Sequence, residues 1–115
     1  MRYQIVGQKH KGLDLYLTGI VAGVPALLVR EPDNAVDPFA VAVYIDGKAV
    51  GYIRRQDNQA LARRIDAEGE SWREACIKAG LGFDAQAQPI ETKTLHATFA
   101  RSFNSSYPQV ELPDG

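Results

Sequence analysis

The rhythm of apolar and polar residues changes several times along this chain, and each change marks an element. Over residues 13–21 the two kinds alternate, with Leu13, Leu15 and Leu17 on one side and Asp14, Tyr16 and Thr18 on the other, as a strand buried on one face requires. Gly19 and then Gly23-Val24-Pro25 punctuate the turn that follows. Residues 26–29 form a short continuous apolar run, residues 40–45 a longer one and residues 49–53 a third. Asp46-Gly47 separates the last two and predicts a hairpin, because both residue types accept the positive φ of a tight turn. Residues 91–100 alternate again, with Leu95, Ala97 and Phe99 opposite Thr94, His96 and Thr98. At the N-terminus residues 1–12 read as a first short strand entering a loop. At the other end residues 105–115 form a tail in which 107–112 are expected as an edge strand before a frayed end.

Twice the period lengthens to that of a helix. From Gln56 or Asp57 to Ala67, Leu61 and Ile65 lie four apart on one face, Arg63 and Arg64 lie off it with Glu68 in reach of Arg64, and Gly69 ends the pattern. Ser71-Trp72-Arg73-Glu74 fits a capping box, in which the serine hydroxyl accepts a backbone N–H and the glutamate reaches back. The helix it starts should run to about Ala79 and stop at Gly80, with a polar loop over 80–89. Trp72, Ala75, Cys76 and Ala79 share one face of it. That stripe makes Trp72 a core residue before it is a platform for a base, and Cys76 an inert buried thiol before it is a nucleophile.

A chain of 115 residues with short strands and two helices makes one domain, large enough to bury a core without disulfide or metal. A single cysteine excludes an intramolecular disulfide and fits a reducing compartment. No apolar run approaches the roughly 20 residues of a membrane helix, and no signal-peptide core follows Met1, so a cytoplasmic protein is expected. The formal net charge of −1 bears most on partners. A protein that tracks a long duplex needs a surplus of cations, so any nucleic-acid site here is local and touches few phosphates. The cluster Lys9-His10-Lys11 could meet one, although a solvated surface run accounts for it as well.

Catalytic chemistry finds few candidates. The two histidines stand far apart, no cysteine pair exists, and neither a phosphate-binding glycine loop nor a nucleophile elbow is present. No spacing of ligands suggests a metal, and no cofactor is expected. His96 on its strand reads as a hydrogen-bonded structural histidine.

Residues 31–38 hold more. Pro32 and Pro38 fix their own φ and push Glu31 and Asp37 towards extended geometry, which holds the loop in one shape. A stiff loop with polar tips between two strands is a good binding element. Arg30-Glu31-Pro32-Asp33-Asn34, Asp37, Ala40-Val41-Ala42-Val43 and Val50-Gly51-Tyr52-Ile53 together resemble the signature of the HIRAN domain, a family found fused to helicase-like DNA repair ATPases and as free-standing bacterial proteins. The similarity is specific over residues 27–55. Leu15-Tyr16-Leu17-Thr18-Gly19 and Leu95-His96-Ala97-Thr98-Phe99 extend it, so residues 1–104 are expected as one HIRAN-like domain.

The resemblance implies a mainly β, α+β fold: a small OB-like or SH3-like barrel of about six strands with two short helices. It also implies binding of the 3′ end of single-stranded DNA in a repair or replication setting, with no enzymatic activity. By matching position Tyr16 lies beside the terminal bases, Asn34 builds the loop and meets the terminal nucleotide, and Asp37 accepts the 3′-hydroxyl. Tyr52 lines the pocket, and Arg55 pairs with a backbone phosphate. Plainer roles stand beside these: Asn34 and Asp37 as Asx-turn formers, Tyr16 and Tyr52 as barrel packing, Arg55 as a solvated residue before a helix. Three positions depart from the DNA-end-binding pattern. Leu15 replaces an arginine, Val36 a loop aromatic, and Glu91 a stacking phenylalanine. A module that uses the same barrel face to recruit a helicase or another DNA-processing partner is the alternative, and apolar Leu15 and Val36 favour it.

Overall fold

The computed structural model describes residues 1–6, 22–45, 47–79, 92–100 and 108–112 of the chain. The strand expected over 13–21, with Leu15 and Tyr16, the loop over 80–89 and Glu91 lie outside them. The described elements are β1 (Arg2–Val6), β2 (Pro25–Arg30), β3 (Val41–Ile45), β4 (Lys48–Ile53), α1 (Arg55–Glu68), β5 (Glu70–Ser71), α2 (Trp72–Ala79), β6 (Lys93–Ala100) and β7 (Gln109–Glu111).

All the pairings are antiparallel, in the order β2-β3-β4-β1-β7-β6, and β6 returns to β2 to close a six-stranded barrel. β5 stands outside this ring, against the first residues of β6. The fold is thus the α+β, OB-like barrel that the resemblance implied. The β3–β4 hairpin turns at Gly47, whose φ of 77° lies in the left-handed region that glycine occupies without strain.

The alternation along β2 organises the interior. Ala26 and Leu28 face the barrel, where Ile5, Val41, Val43, Val50, Phe99 and Val110 meet them. Leu27 and Val29 point the other way, onto Trp72, Ala75 and Cys76 of α2. A strand covered on both sides has no polar face to show, which is why residues 26–29 read as an unbroken apolar run. Helix α1 sets Leu61, Ala62 and Ile65 against the barrel core. The Trp72 indole meets the Tyr44 ring edge-on, with centroids 5.2 Å apart at 70°. Trp72 and Cys76 are core residues, as their stripe predicted.

Local signals set the helix ends. The Glu74 backbone N–H donates to Ser71 Oγ at 3.3 Å, one half of the expected capping box. Gly69 closes α1 by donating its N–H to the Ile65 carbonyl at 2.7 Å. With φ −68° and ψ 158° it is needed for room and not for handedness. A Cβ there would come within 2.4 Å of the Ile65 carbonyl and 2.7 Å of the Thr94 carbonyl. That close approach brings β5 onto β6. Thr94, expected on the polar side of its strand, is buried because its Oγ1 donates to the Glu70 carbonyl at 2.9 Å. Glu70 in turn receives Lys78 Nζ at 2.7 Å on one carboxylate oxygen, and His96 Nε2 lies 2.7 Å from the other.

The C-terminal segment is the main correction. The strand expected at a sheet edge is an interior stave, β7, paired with β1 through Tyr3↔Val110 and with β6 through Phe99↔Val110. Val110 and Leu112 are buried in the barrel core. A three-residue strand gives too little alternation to show from sequence which edges it joins.

Closure through β7 can be tested directly. A chain stopped after Asn104 loses β7 and should show no cooperative thermal transition by circular dichroism; a wild-type melting temperature would contradict the interior position of β7. At Gly51 an added Cβ would lie 2.6 Å from the Val6 carbonyl and 2.8 Å from Ile5 Cγ2. Gly51→Ala should therefore cost about 1–3 kcal/mol in urea denaturation, the usual penalty of overpacking.

Candidate functional site

Between β2 and β3 the chain makes the proline-bounded loop 31–40, and its shape is fixed mostly by its own side chains. The Asn34 carboxamide oxygen accepts the backbone N–H groups of Val36 at 2.9 Å and Asp37 at 3.1 Å, while its Nδ2 donates to Glu31 Oε1 at 3.0 Å. Asp37 Oδ1 accepts the Phe39 N–H at 2.9 Å. Two consecutive Asx turns thus curl the loop. Its base is closed by the Glu31 N–H to the Ala40 carbonyl at 3.0 Å and the Ala40 N–H to the Asp37 carbonyl at 3.0 Å.

A buried arginine supports the loop from behind. Arg30, 8% exposed, donates Nη1 to the Pro38 carbonyl at 3.0 Å and to the Ala40 carbonyl at 3.4 Å. Its Nε and Nη2 reach the Asp66 carboxylate on α1, at 3.0 and 3.4 Å. One guanidinium therefore connects the loop to the helix, using the fork geometry that lysine lacks.

In front, loop and helix border an open pocket of about 520 Å³. Asn34, Asp37, Tyr52, Arg55 and Asn58 give it polar groups, and Val6, Val36, Ala40 and Ile53 give it apolar wall. Four of the five residues singled out from the sequence, Asn34, Asp37, Tyr52 and Arg55, therefore share one cavity, whereas Tyr16 lies outside the described residues. The Tyr52 hydroxyl donates to Glu31 Oε1 at 3.0 Å, so Glu31 holds Asn34 and Tyr52 on the same oxygen. Val36 stands at the rim, 82% exposed.

Asp37 is the most engaged of these groups. Besides Phe39 it receives Asn58 Nδ2 at 2.7 Å and Arg55 Nε at 3.4 Å, both on Oδ2. Arg55 also donates Nη2 to the Val36 carbonyl at 3.3 Å, yet its side chain is 72% exposed and keeps N–H groups for a further acceptor. The amide of Asn58, the Phe39 N–H and the nearby Arg55 together hold the Asp37 carboxyl below its ordinary 3.8, so it is ionised at neutral pH.

Two residues of the site were not singled out from the sequence: Asn58, and Glu31 in its joining role. Asn58 had a signal: with Leu61, Ala62 and Ile65 it completes the i, i+3, i+4, i+7 spacing of a buried helix face. A polar residue there must find a partner. Glu31 and Asn34 carried only the weaker signal of two polar residues three apart in a turn.

Among the described residues no group of three or more His, Cys, Asp or Glu is placed to hold a metal ion, and no helix is long and apolar enough to cross a membrane.

A small closed barrel with a loop-and-helix pocket on its side defines the class of protein, and comparison gives the family. The HIRAN domain model matches residues 1–86, three quarters of the chain, and the chain belongs to the HIRAN domain family. The match ends before β6 and β7, the strands that complete the barrel. Among solved structures, the crystal structure of the HIRAN domain of human HLTF aligns with 96% of this chain and 75% of that one, at 21% identity and a TM-score of 0.45. No curated protein matches.

Acid should loosen both carboxylate centres. Asp37 and Glu70 titrate below their ordinary values of 3.8 and 4.5, Asp37 through Asn58 first and Glu70 through Lys78 first. A carboxylate whose folded pKa is depressed gives its full stabilisation above the unfolded value and loses it as pH falls through the folded one. The melting temperature should therefore drop as pH falls below about 4.5, and the drop should be shallower in Glu70→Gln. A flat profile between about pH 5 and 3 would exclude this coupling.

Proposed function

We propose that this HIRAN domain is a nucleic-acid-binding module without catalytic activity and that its pocket receives the 3′-hydroxyl end of single-stranded DNA in a repair or replication setting. Family membership supports the first part. The single observation that carries the second is the convergence of Asn34, Asp37, Tyr52 and Arg55 on one cavity of about 520 Å³, room for about one nucleoside.

Each residue has a role in this reading. Arg55 stands at the rim and takes the phosphate that precedes the terminal nucleotide. Tyr52, held by Glu31, offers its ring as a wall for the sugar. Asn34 keeps the loop curled around the end. The ionised Asp37 keeps out a 3′-phosphate, whose charge of about −1.5 to −2 it repels. Tyr16 serves as a platform for the terminal base. With net charge −1 and an exposed arginine at the mouth, few phosphates are engaged. Binding should weaken with salt at a slope of about −0.7 to −1.4 in log K against log[salt], one or two counterions released.

A second reading rests on Val36. An apolar side chain 82% exposed at the rim also suits a peptide, and the domain would then recruit a separately encoded helicase or ATPase through this face.

Fluorescence anisotropy with a short single strand ending in a 3′-hydroxyl, and with the same strand ending in a 3′-phosphate, tests the proposal. The hydroxyl strand should bind more tightly. Asp37→Asn should narrow the difference, and Arg55→Ala should weaken both strands and flatten the salt dependence. Equal binding of the two strands by the wild type would exclude end recognition; absence of binding at low salt would leave the peptide reading.

A further inference from the structure

Resting on that reading, we propose that the atom reading the terminal hydroxyl is the side-chain oxygen of Asn58, and that Asp37 is a positioning residue behind it. A carboxylate offers about four lone-pair positions. In Asp37 three are taken, by Phe39 N–H, Asn58 Nδ2 and Arg55 Nε. A hydroxyl arriving at Asp37 would compete for a crowded group, only 17% of which is exposed.

Asn58 is in the opposite condition. It is 4% exposed, and the surface it keeps lines the pocket. Its amide orientation follows from its partner: ionised Asp37 only accepts, so the atom 2.7 Å away must be Nδ2. The remaining atom, Oδ1, has no hydrogen-bond partner among the described residues. Nor is it sealed in the interior, where the one enclosed and unsatisfied side-chain atom among the described residues is Gln109 Oε1. A buried residue that lines a cavity and holds an unsatisfied acceptor there suits a donor supplied by the ligand.

The chemistry suits a hydroxyl. Asn58 donates to an anion on one side, which fixes the amide plane and raises the electron density on the oxygen at the other. A sugar hydroxyl supplies the missing proton. A 3′-phosphate supplies none at neutral pH, and a 3′-deoxy end has nothing to donate. Asp37 thus acts through Asn58, as a carboxylate behind an amide. Discrimination is shared between them, since Asp37 excludes by charge and Asn58 accepts a hydrogen bond.

The experiment compares three strands, ending in 3′-hydroxyl, 3′-hydrogen and 3′-phosphate, on the wild type and on Asn58→Ala. The wild type should prefer hydroxyl to hydrogen by about threefold to tenfold, the effect of one neutral hydrogen bond. In Asn58→Ala that preference should vanish, so that the hydroxyl and hydrogen strands bind alike. If both strands weaken equally in the variant, or if the preference survives, Asn58 is only scaffold and the inference fails while end recognition stands. If the wild type itself ignores the hydroxyl, the reading beneath it fails too. Should Asn58→Ala not fold, the Asn58 side-chain amide resonance of the ¹⁵N-labelled wild type decides. It should move with the hydroxyl strand and stay still with the hydrogen strand; equal movement with both would overturn the assignment.

Discussion

Arg30 occupies the position on which the pocket depends. Its guanidinium has left water, and a charged group does so at a high cost unless its hydrogen bonds are replaced. Two loop carbonyls and the Asp66 carboxylate replace them. Its partners lie at the end of the loop, at Pro38 and Ala40, and in the far half of helix α1, so it ties the two from behind while Arg55 and Asn58 tie them in front through Asp37. The loop is therefore fixed relative to the helix, and the helix carries Arg55 and Asn58. The polar groups at the front of the pocket keep their spacing because a charge at the back must stay satisfied.

This arrangement separates support from contact. Arg30, Glu31 and Asn34 spend most of their hydrogen-bonding capacity inside the protein, on loop backbone and on one another. Arg55 and Val36 are exposed, and Asn58 lines the cavity. A site of this kind is rigid before its ligand arrives, so binding orders little and the loss of side-chain freedom has already been met in folding. A second, independent polar centre fastens α2: Glu70 joins Lys78 of that helix to His96 of β6 on the barrel wall. It explains why a strand of only two residues persists there. With these partners His96 is the structural histidine its strand position suggested.

What was legible in the sequence follows physical range. The β3–β4 hairpin, both helices and the apolar run of β2 were visible, because turn chemistry, caps and periodicity act within a few residues of one another. The loop was visible as a stiff object from Pro32 and Pro38, and the likeness to a known family pointed to Asn34, Asp37, Tyr52 and Arg55 as one group. The missing parts depend on distance. Arg30 and Asp66 lie 36 residues apart, Asn58 and Asp37 lie 21 apart, and β7 finds β1 across almost the whole chain. Asn58 shows the boundary most clearly: its helical spacing announced a buried polar residue, but only the closed fold brings it to Asp37. Gly69 ends its helix as expected and for another reason, since it is the approach of Thr94 from a distant strand that excludes a side chain there.

The pairing of β1 with β7 brings the two ends of the described chain together. The Met1 amine donates to the Leu112 carbonyl at 3.0 Å, and the Leu112 N–H returns to the Met1 carbonyl at 2.9 Å. Neighbouring ends make a barrel portable. It can sit within a loop of a larger host without prising that loop apart, and it can be circularly permuted, joined at these ends and opened at an exposed turn such as that around Gly23. The pocket, built from the central part of the chain on the loop and α1, would keep its connectivity in either arrangement.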